Sequence, residues 1–155
     1  MKATEFLKKQ HREVFALFEQ ATGSDDAVER RRLLKQIADD LRIHTTIEEE
    51  ILYPAVRELG TQKAEEMILE AVEEHHVVDL VLAELPEVDP AAETFEAKLT
   101  VLRELVKHHV EEEHDELFPM AEKRLGAGSM AELGERLEKR TEELGGRARA
   151  KRARA

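Results

Sequence analysis

Residues 44–54 read HTTIEEEILYP, and the fold turns on how this stretch is read. Together with Ile37 and Leu41 upstream, it places Ile37, Leu41, His44, Glu48, Ile51 and Ala55 in alternating steps of four and three. That is one stripe along a helix. His44 and Glu48 therefore stand where a hydrophobic core would hold leucine.

Three other segments repeat the arrangement. Leu7, His11, Val14 and Phe18 form one stripe, and Ile68, Val72, His75, Asp79 and Leu82 form another. The longest runs Phe95, Leu99, Leu102, Val106, His109, Glu113, Leu117, Met120. Each helix sends one histidine inward, and two send a glutamate one turn later. The segments are also related in pairs. EEEILYP aligns with EHDELFP at a shift of 65 residues, and HREVFALF with HHVVDLVL at a shift of 64. The chain thus reads as two helical hairpins of one pattern, which pair into a bundle with an approximate twofold axis.

Punctuation sets the expected boundaries. Thr4 caps a first helix that ends near Ala21 and Gly23, and Ser24 or Asp25 opens a second that runs toward Leu59 and Gly60. Thr61 opens a third, which stops before Pro86. Asp89-Pro90 reads as an N-cap followed by proline at the first helical position, starting a fourth helix that reaches Leu125 and Gly126. Ser129 with Glu132 resembles a capping box for a short fifth helix ending near Leu144 and Gly145. Pro54 and Pro119 fall inside helical patterns, and each predicts a kink. With short connections, the fold class is all-α: an up-down-up-down four-helix bundle over residues 1–126, with a short C-terminal helix over 127–145 packed on or beside it. A basic tail over 146–155 is expected to be disordered.

Composition agrees with this class. A chain of 155 residues suffices for one core, and 41% hydrophobic with 38% charged residues suits helices with a solvated outer face. No cysteine is present, so disulfides are excluded and any metal must be held by N and O donors. This suits a reducing cytosol, and a cytoplasmic protein is the expectation. The N-terminal MKATEFLKKQHRE lacks a signal-peptide apolar core, and no run is long enough to span a membrane. The net charge of -11 is uneven, because GRARAKRARA carries five basic residues and no acidic one. That tail reads first as a solubilising end and second as an arm for nucleic acid or an acidic partner.

The inward carboxylates carry the chemical argument. An ionised carboxylate buried without a partner costs several kcal/mol, and no Lys or Arg lies on the stripes beside Glu48 and Glu113. A metal is the economical cation, since it attracts carboxylates and accepts neutral imidazoles. Four His and two Glu exceed the four protein ligands usual in a structural zinc site. They suit two ions about 3.5–4 Å apart, with carboxylates bridging and an oxide, hydroxide or small anion between them. Core packing explains a single inward histidine better than a metal does, but it does not explain four at matched depths. His76, His108 and His114 lie beside the stripes and read as flanking residues. A ferritin-like site fits by letters, through Glu73-x-x-His76 and Glu111-x-x-His114, but Glu111 points away from the core when His109 points in.

QHREVFALF, LRIHTTIEEEILYP, EEHHVVDLV and LVKHHVEEEHDELFP, spanning residues 10–119, resemble the haemerythrin-like, His-His-Glu cation-binding family. The resemblance implies a non-haem di-iron centre with His11, His44, Glu48, His75, His109 and Glu113 as ligands, the same six residues that the stripes select. It implies two iron ions, oxo- or hydroxo-bridged, with zinc or manganese as alternatives. The sequence departs from the oxygen carriers, which have a further histidine where Asp79 stands, either as a carboxylate ligand or beside an open position. It also has Gln10 where many relatives have an acid. The expected function is to bind or react with oxygen, peroxide or nitric oxide, for sensing or detoxification. The alternative is metal storage or a structural metal-binding module without redox chemistry.

Overall fold

The structure is a computed structural model and describes residues 1–154. The described residues form helices and turns with no strand. The long helices are α1 (Ala3–Gly23), α2 (Ala27–Ile47), α4 (Gln62–Glu84), α5 (Glu93–Glu112) and α6 (Phe118–Arg154), with a short α3 (Tyr53–Arg57) continuing the line of α2. No helix among the described residues is long and apolar enough to cross a membrane.

Boundaries follow local chemistry, with three shifts from the sequence reading. Thr4 does not cap α1. The Lys2 backbone N–H is held by Glu5 Oε2 at 3.2 Å, and Thr4 lies buried inside the helix, donating its hydroxyl to Glu122 Oε1 at 2.5 Å. Asp26, rather than Ser24 or Asp25, opens α2, accepting from the N–H groups of Val28 and Glu29. Asp89 spends its carboxylate on the N–H of Ala91 in a tight turn, so α5 begins only at Glu93. Thr61 caps α4 through the Ala64 N–H, and α4 gives way to a 3-10 turn at Leu85–Glu87.

Each interior proline is preceded by a π-helical turn, Glu48–Leu52 before Tyr53-Pro54 and Glu113–Leu117 before Phe118-Pro119. The Tyr53 N–H reaches back five residues to the Glu48 carbonyl, and the Phe118 N–H to that of Glu113. Proline lacks an N–H and its ring presses on the carbonyl four residues before it. A wider turn absorbs that conflict, so the expected kink is expressed as a π turn. The residue five places after each glutamate then returns to the glutamate's own face.

Gly126 has φ 80° and ψ 167°, which breaks α6 into helical runs over 118–125 and 127–154. The second run is longer than the sequence reading allowed. It passes through Ser129, Leu144, Gly145 and Gly146 into the basic tail as helix, up to Arg154. Met130, Leu133 and Leu137 bury it against Ala3, Phe6 and Leu7 of α1. Close approach is possible because residue 134 is glycine: a Cβ there would stand 2.0 Å from the Met1 carbonyl oxygen.

The apolar interior is in two parts. One contains Leu7, Ile47, Leu52, Val56, Ile68, Leu117 and the docked face of α6; the other contains Val14, Phe18, Ile37, Leu41, Val78, Leu82, Phe95, Leu102 and Val106. Along α1, α2, α4 and α5 the boundary between them falls at the inward histidines.

Candidate metal centre

α1, α2, α4 and α5 each deliver one imidazole, His11, His44, His75 and His109 respectively, and the two π turns open with Glu48 and Glu113. All six side chains are buried, with Glu48 at 0% and the most accessible, His44, at 7% exposure. The six residues selected from the sequence are therefore brought together, and they divide into two halves. In one, His11 Nε2 stands 2.9 Å from His44 Nε2, with Glu48 Oε1 3.0 Å from His44 and Glu113 Oε2 3.3 Å from His11. In the other, His75 Nε2 stands 3.1 Å from His109 Nε2, with Glu48 Oε2 3.3 Å from His75 and Glu113 Oε1 3.5 Å from His109. Each carboxylate thus gives one oxygen to each half.

The outer ring nitrogens fix the tautomers. His75 Nδ1 donates to Glu49 Oε1 at 2.7 Å, His109 Nδ1 to Glu74 Oε1 at 3.0 Å, and His44 Nδ1 to Gln10 Oε1 at 2.7 Å. His11 Nδ1 shares a hydrogen bond with His114 Nε2 at 2.9 Å. A neutral imidazole with its proton on Nδ1 turns a bare Nε2 lone pair toward the centre. Glu48 Oε1 and Glu113 Oε2 are buried and have no hydrogen-bond partner. Facing lone pairs and orphaned carboxylate oxygens repel one another unless a proton or a metal ion lies among them.

The donor set fits metal ions by distance as well. Two donors each about 2.1 Å from one ion, at about 90–110°, stand roughly 3.0–3.4 Å apart. The nitrogen–nitrogen distances of 2.9 and 3.1 Å and the nitrogen–oxygen distances of 3.0–3.5 Å fall around that interval. His11, His44, Glu48 and Glu113 form one group able to hold an ion, and Glu48, His75 and His109 form a second.

Without a cation, the site's charges are held by each other. Burial, which favours a neutral Glu48, is outweighed by His44 and His75, and its carboxyl sits well below the usual range. Glu113 is also lowered: burial and the Glu48 charge oppose this, and His109 and His11 prevail. Burial opposes a charged His109 too, yet Glu113 and Glu74 hold it well above the usual imidazole range. His11 is lowered by burial, against the pull of Glu113.

Tyr53 is the main residue that the stripes missed. Its hydroxyl donates to Glu113 Oε1 at 2.9 Å and stands 3.3 Å from His75 Nε2 and 3.4 Å from Glu48 Oε2. Burial, then the charges of Glu113 and Glu48, push its hydroxyl well above the usual tyrosine range, so it keeps its proton. It lies five residues beyond Glu48, a spacing that an α-helix does not bring to one face and the π turn does. His114, read as flanking, backs His11, and Glu49, outside the inward stripe, backs His75. The repeat held a signal for both, because the shift of 65 aligns Glu49 with His114.

Three other readings are corrected or resolved. Asp79 is exposed and takes no part in the centre, since Val78 holds the inward position on α4. His76 is exposed, and His108, also exposed, pairs with Glu112 and with Glu74, the same carboxylate that backs His109. Glu73 and Glu111 are exposed, which removes the ferritin-like arrangement.

A cavity of about 150 Å³ reaches all four inward histidines and is walled by Val14, Leu41, Val78, Val106 and Val110. Gln10 lies at its edge, where its amide donates to Thr141 Oγ1 of α6 at 3.4 Å. A smaller acidic cavity of about 80 Å³, with Glu70, Glu74, Glu112 and Glu116, reaches His109 and Glu113 from the other side.

Residues 2–121 match the family described as Hemerythrin HHE cation binding domain. Among curated proteins, a DNA nickase from Nostoc sp. is 29% identical over 119 residues, which cover 76% of this chain and 33% of that protein. The chain therefore spans about a third of the length of that relative. Among solved structures, a hemerythrin HHE cation-binding domain-containing protein from Mycobacterium kansasii is similar with a TM-score of 0.86 and 26% identity, over 97% of this chain and 91% of that one.

Proposed function

The chain belongs to the hemerythrin HHE cation-binding domain family, and from that premise we propose that it is a non-haem di-iron protein that binds or reacts with oxygen, peroxide or nitric oxide. The observation that carries this reading is the paired geometry: two glutamates each offer one oxygen to each of two imidazole pairs, and two of those oxygens have no partner of their own. His11 and His44 would hold one ion, His75 and His109 the other, and Glu48 and Glu113 would span both. Iron, when bound, supplies a change of oxidation state and a coordination position for a small oxidant.

The residues around it have their own tasks. The valines and leucine that line the 150 Å³ cavity beside Glu13, Asp40 and Thr45 give a small apolar molecule a surface to contact. Tyr53 holds a proton on its hydroxyl beside Glu113 and His75. Asp79 takes no part. The alternative is storage, or a structural ion such as zinc, for which two imidazoles and two carboxylate oxygens of either half supply four donors.

Metal analysis of protein purified without added metal or a histidine tag distinguishes these readings. Anaerobic loading with two equivalents of iron(II), followed by oxygen, peroxide or nitric oxide, should change the near-ultraviolet and visible spectrum. Stoichiometric zinc, with no spectral response to any oxidant after iron loading, would reject the redox reading and leave the structural one.

A further inference from the structure

The twofold relation between the hairpins pairs each group around the centre with a counterpart, and three of those pairs differ in chemistry. Glu74 corresponds to Gln10, Glu49 to His114, and Tyr53 to Phe118. The first two differences are of charge and fall the same way. Behind the His75 and His109 pair stand two carboxylates, Glu49 at 2.7 Å and Glu74 at 3.0 Å, with the Tyr53 hydroxyl 3.3 Å from His75 Nε2. Behind His44 stands the neutral amide of Gln10 at 2.7 Å, and behind His11 a second imidazole, His114, at 2.9 Å. The ring stacked on His11 is Phe118, which has no hydroxyl, and Lys8 brings its ammonium to 5.9 Å from that ring.

We propose that the centre is built as two unequal cation positions. The His75/His109 position is tight and fills first; the His11/His44 position is weaker and exchanges its ion. This rests on the two-ion reading given above. A carboxylate that accepts from Nδ1 draws the proton outward and makes Nε2 a stronger donor, and such outer partners are typically worth about 10–100-fold in metal affinity. An amide or a neutral imidazole fixes the ring without adding charge. Glu49 is 42% exposed and partly screened by water, whereas Glu74 is at 20%. Taking about tenfold for each carboxylate, the low end of that range, the two positions differ by about 100-fold. Glu48 and Glu113 each give one oxygen to each position; the Tyr53 hydroxyl donates to the Glu113 oxygen on the His75/His109 side, while the two unpartnered oxygens face His11 and His44, so the carboxylates offset part of this difference. Gln10 is in addition held from α6 through Thr141, so the weaker position is the one tied to the C-terminal helix.

The test is a titration of zinc(II) into metal-free, nitrogen-15-labelled protein, following the imidazole nitrogens by NMR. The first equivalent should move Nε2 of His75 and His109 to metal-bound shifts, and the second those of His11 and His44. A chelator added to the loaded protein should release His11 and His44 first. Glu74→Gln should weaken the first step by about tenfold or more and bring the two steps together, with unchanged helix content by circular dichroism. Gln10→Glu should tighten the second step. Two equivalents bound with all four imidazoles moving in parallel, or with His11 and His44 leading, would overturn the inequality and leave the two-ion reading intact. Fewer than two equivalents bound by the wild-type protein would overturn both.

Discussion

Replacing Tyr53 with phenylalanine removes one oxygen from the interior and little else. The structure contains its own control, because Phe118 occupies the twofold-related position and stacks on His11 at 6.0 Å, as Tyr53 stacks on His75 at 5.5 Å. A phenylalanine ring therefore fits such a site. What disappears is a donor 2.9 Å from Glu113 Oε1, at a carboxylate whose other oxygen already has no partner. A hydrogen bond to a charged acceptor contributes about 1.5–3 kcal/mol, and the group left behind is fully buried. Metal-free Tyr53→Phe should thus be about 2 kcal/mol less stable than metal-free wild type. In a protein of this size that lowers Tm by about 4–8 °C. Urea unfolding followed by circular dichroism measures the loss, with an unchanged m value showing that the denatured state is the same. A loss below about 0.5 kcal/mol, with m unchanged, would refute the argument that this hydroxyl supports the buried carboxylates.

Further expectations concern metal, pH and packing. His44→Ala removes an inward Nε2 and should lower bound metal measured by elemental analysis from two equivalents to one or fewer; unchanged metal content and Tm would favour a helical module that has no need of metal. The metal-free and loaded proteins should respond oppositely to pH. In the metal-free protein His109 and His75 sit above their unfolded value of 6.5, where burial is outweighed by Glu113 and by Glu48, so the stability they contribute is full below pH 6.5 and lost as pH rises through their folded values. Glu48 and Glu113 sit below 4.5, so their contribution is full above pH 4.5 and lost as pH falls through their folded values; burial lowers His11, which subtracts from stability below pH 6.5. Denaturant titrations should place maximal metal-free stability between about pH 4.5 and 6.5, whereas the loaded protein gains stability above pH 6.5 as protons leave the ligands. A metal-free protein that also gains stability steadily above pH 7 would contradict this assignment. Gly134→Ala sets a Cβ against the Met1 carbonyl and should cost about 1–3 kcal/mol, as overpacking does, read as a lower Tm; wild-type Tm would show that the close contact between α1 and α6 does not form in solution.

The helices and the six inward donors were legible in the sequence because each depends on a local period. Steps of three and four residues bring His44 and Glu48, or His109 and Glu113, to one face whatever the neighbouring helices do. The missed residues depend on something else. Tyr53 faces inward only because the π turn ahead of Pro54 adds a residue to the turn, and the proline signalled strain there without giving its form. Glu49, Glu74, Gln10 and His114 each sit one residue beside an inward ligand, where a few tens of degrees of helix rotation separate solvent from the back of an imidazole. Asp79 shows the same sensitivity in reverse: three and four residues after His75 are both plausible inward steps, and packing chose Val78.

Helix rotation and end-to-end docking are properties of the packed bundle, set by how side chains of distant segments interlock. The sequence by itself determined that four helices would carry four imidazoles and two carboxylates to one level, because burying those charges has few physical solutions. Tertiary packing alone decided that one imidazole pair would be backed by charge and the other by neutral groups. It also decided that α6 would run past Gly145 and Gly146 and close against α1 and Gln10. Those outcomes require residues about 35 to 130 positions apart to meet, and their meeting is governed by the fit of whole helix surfaces rather than by any local repeat.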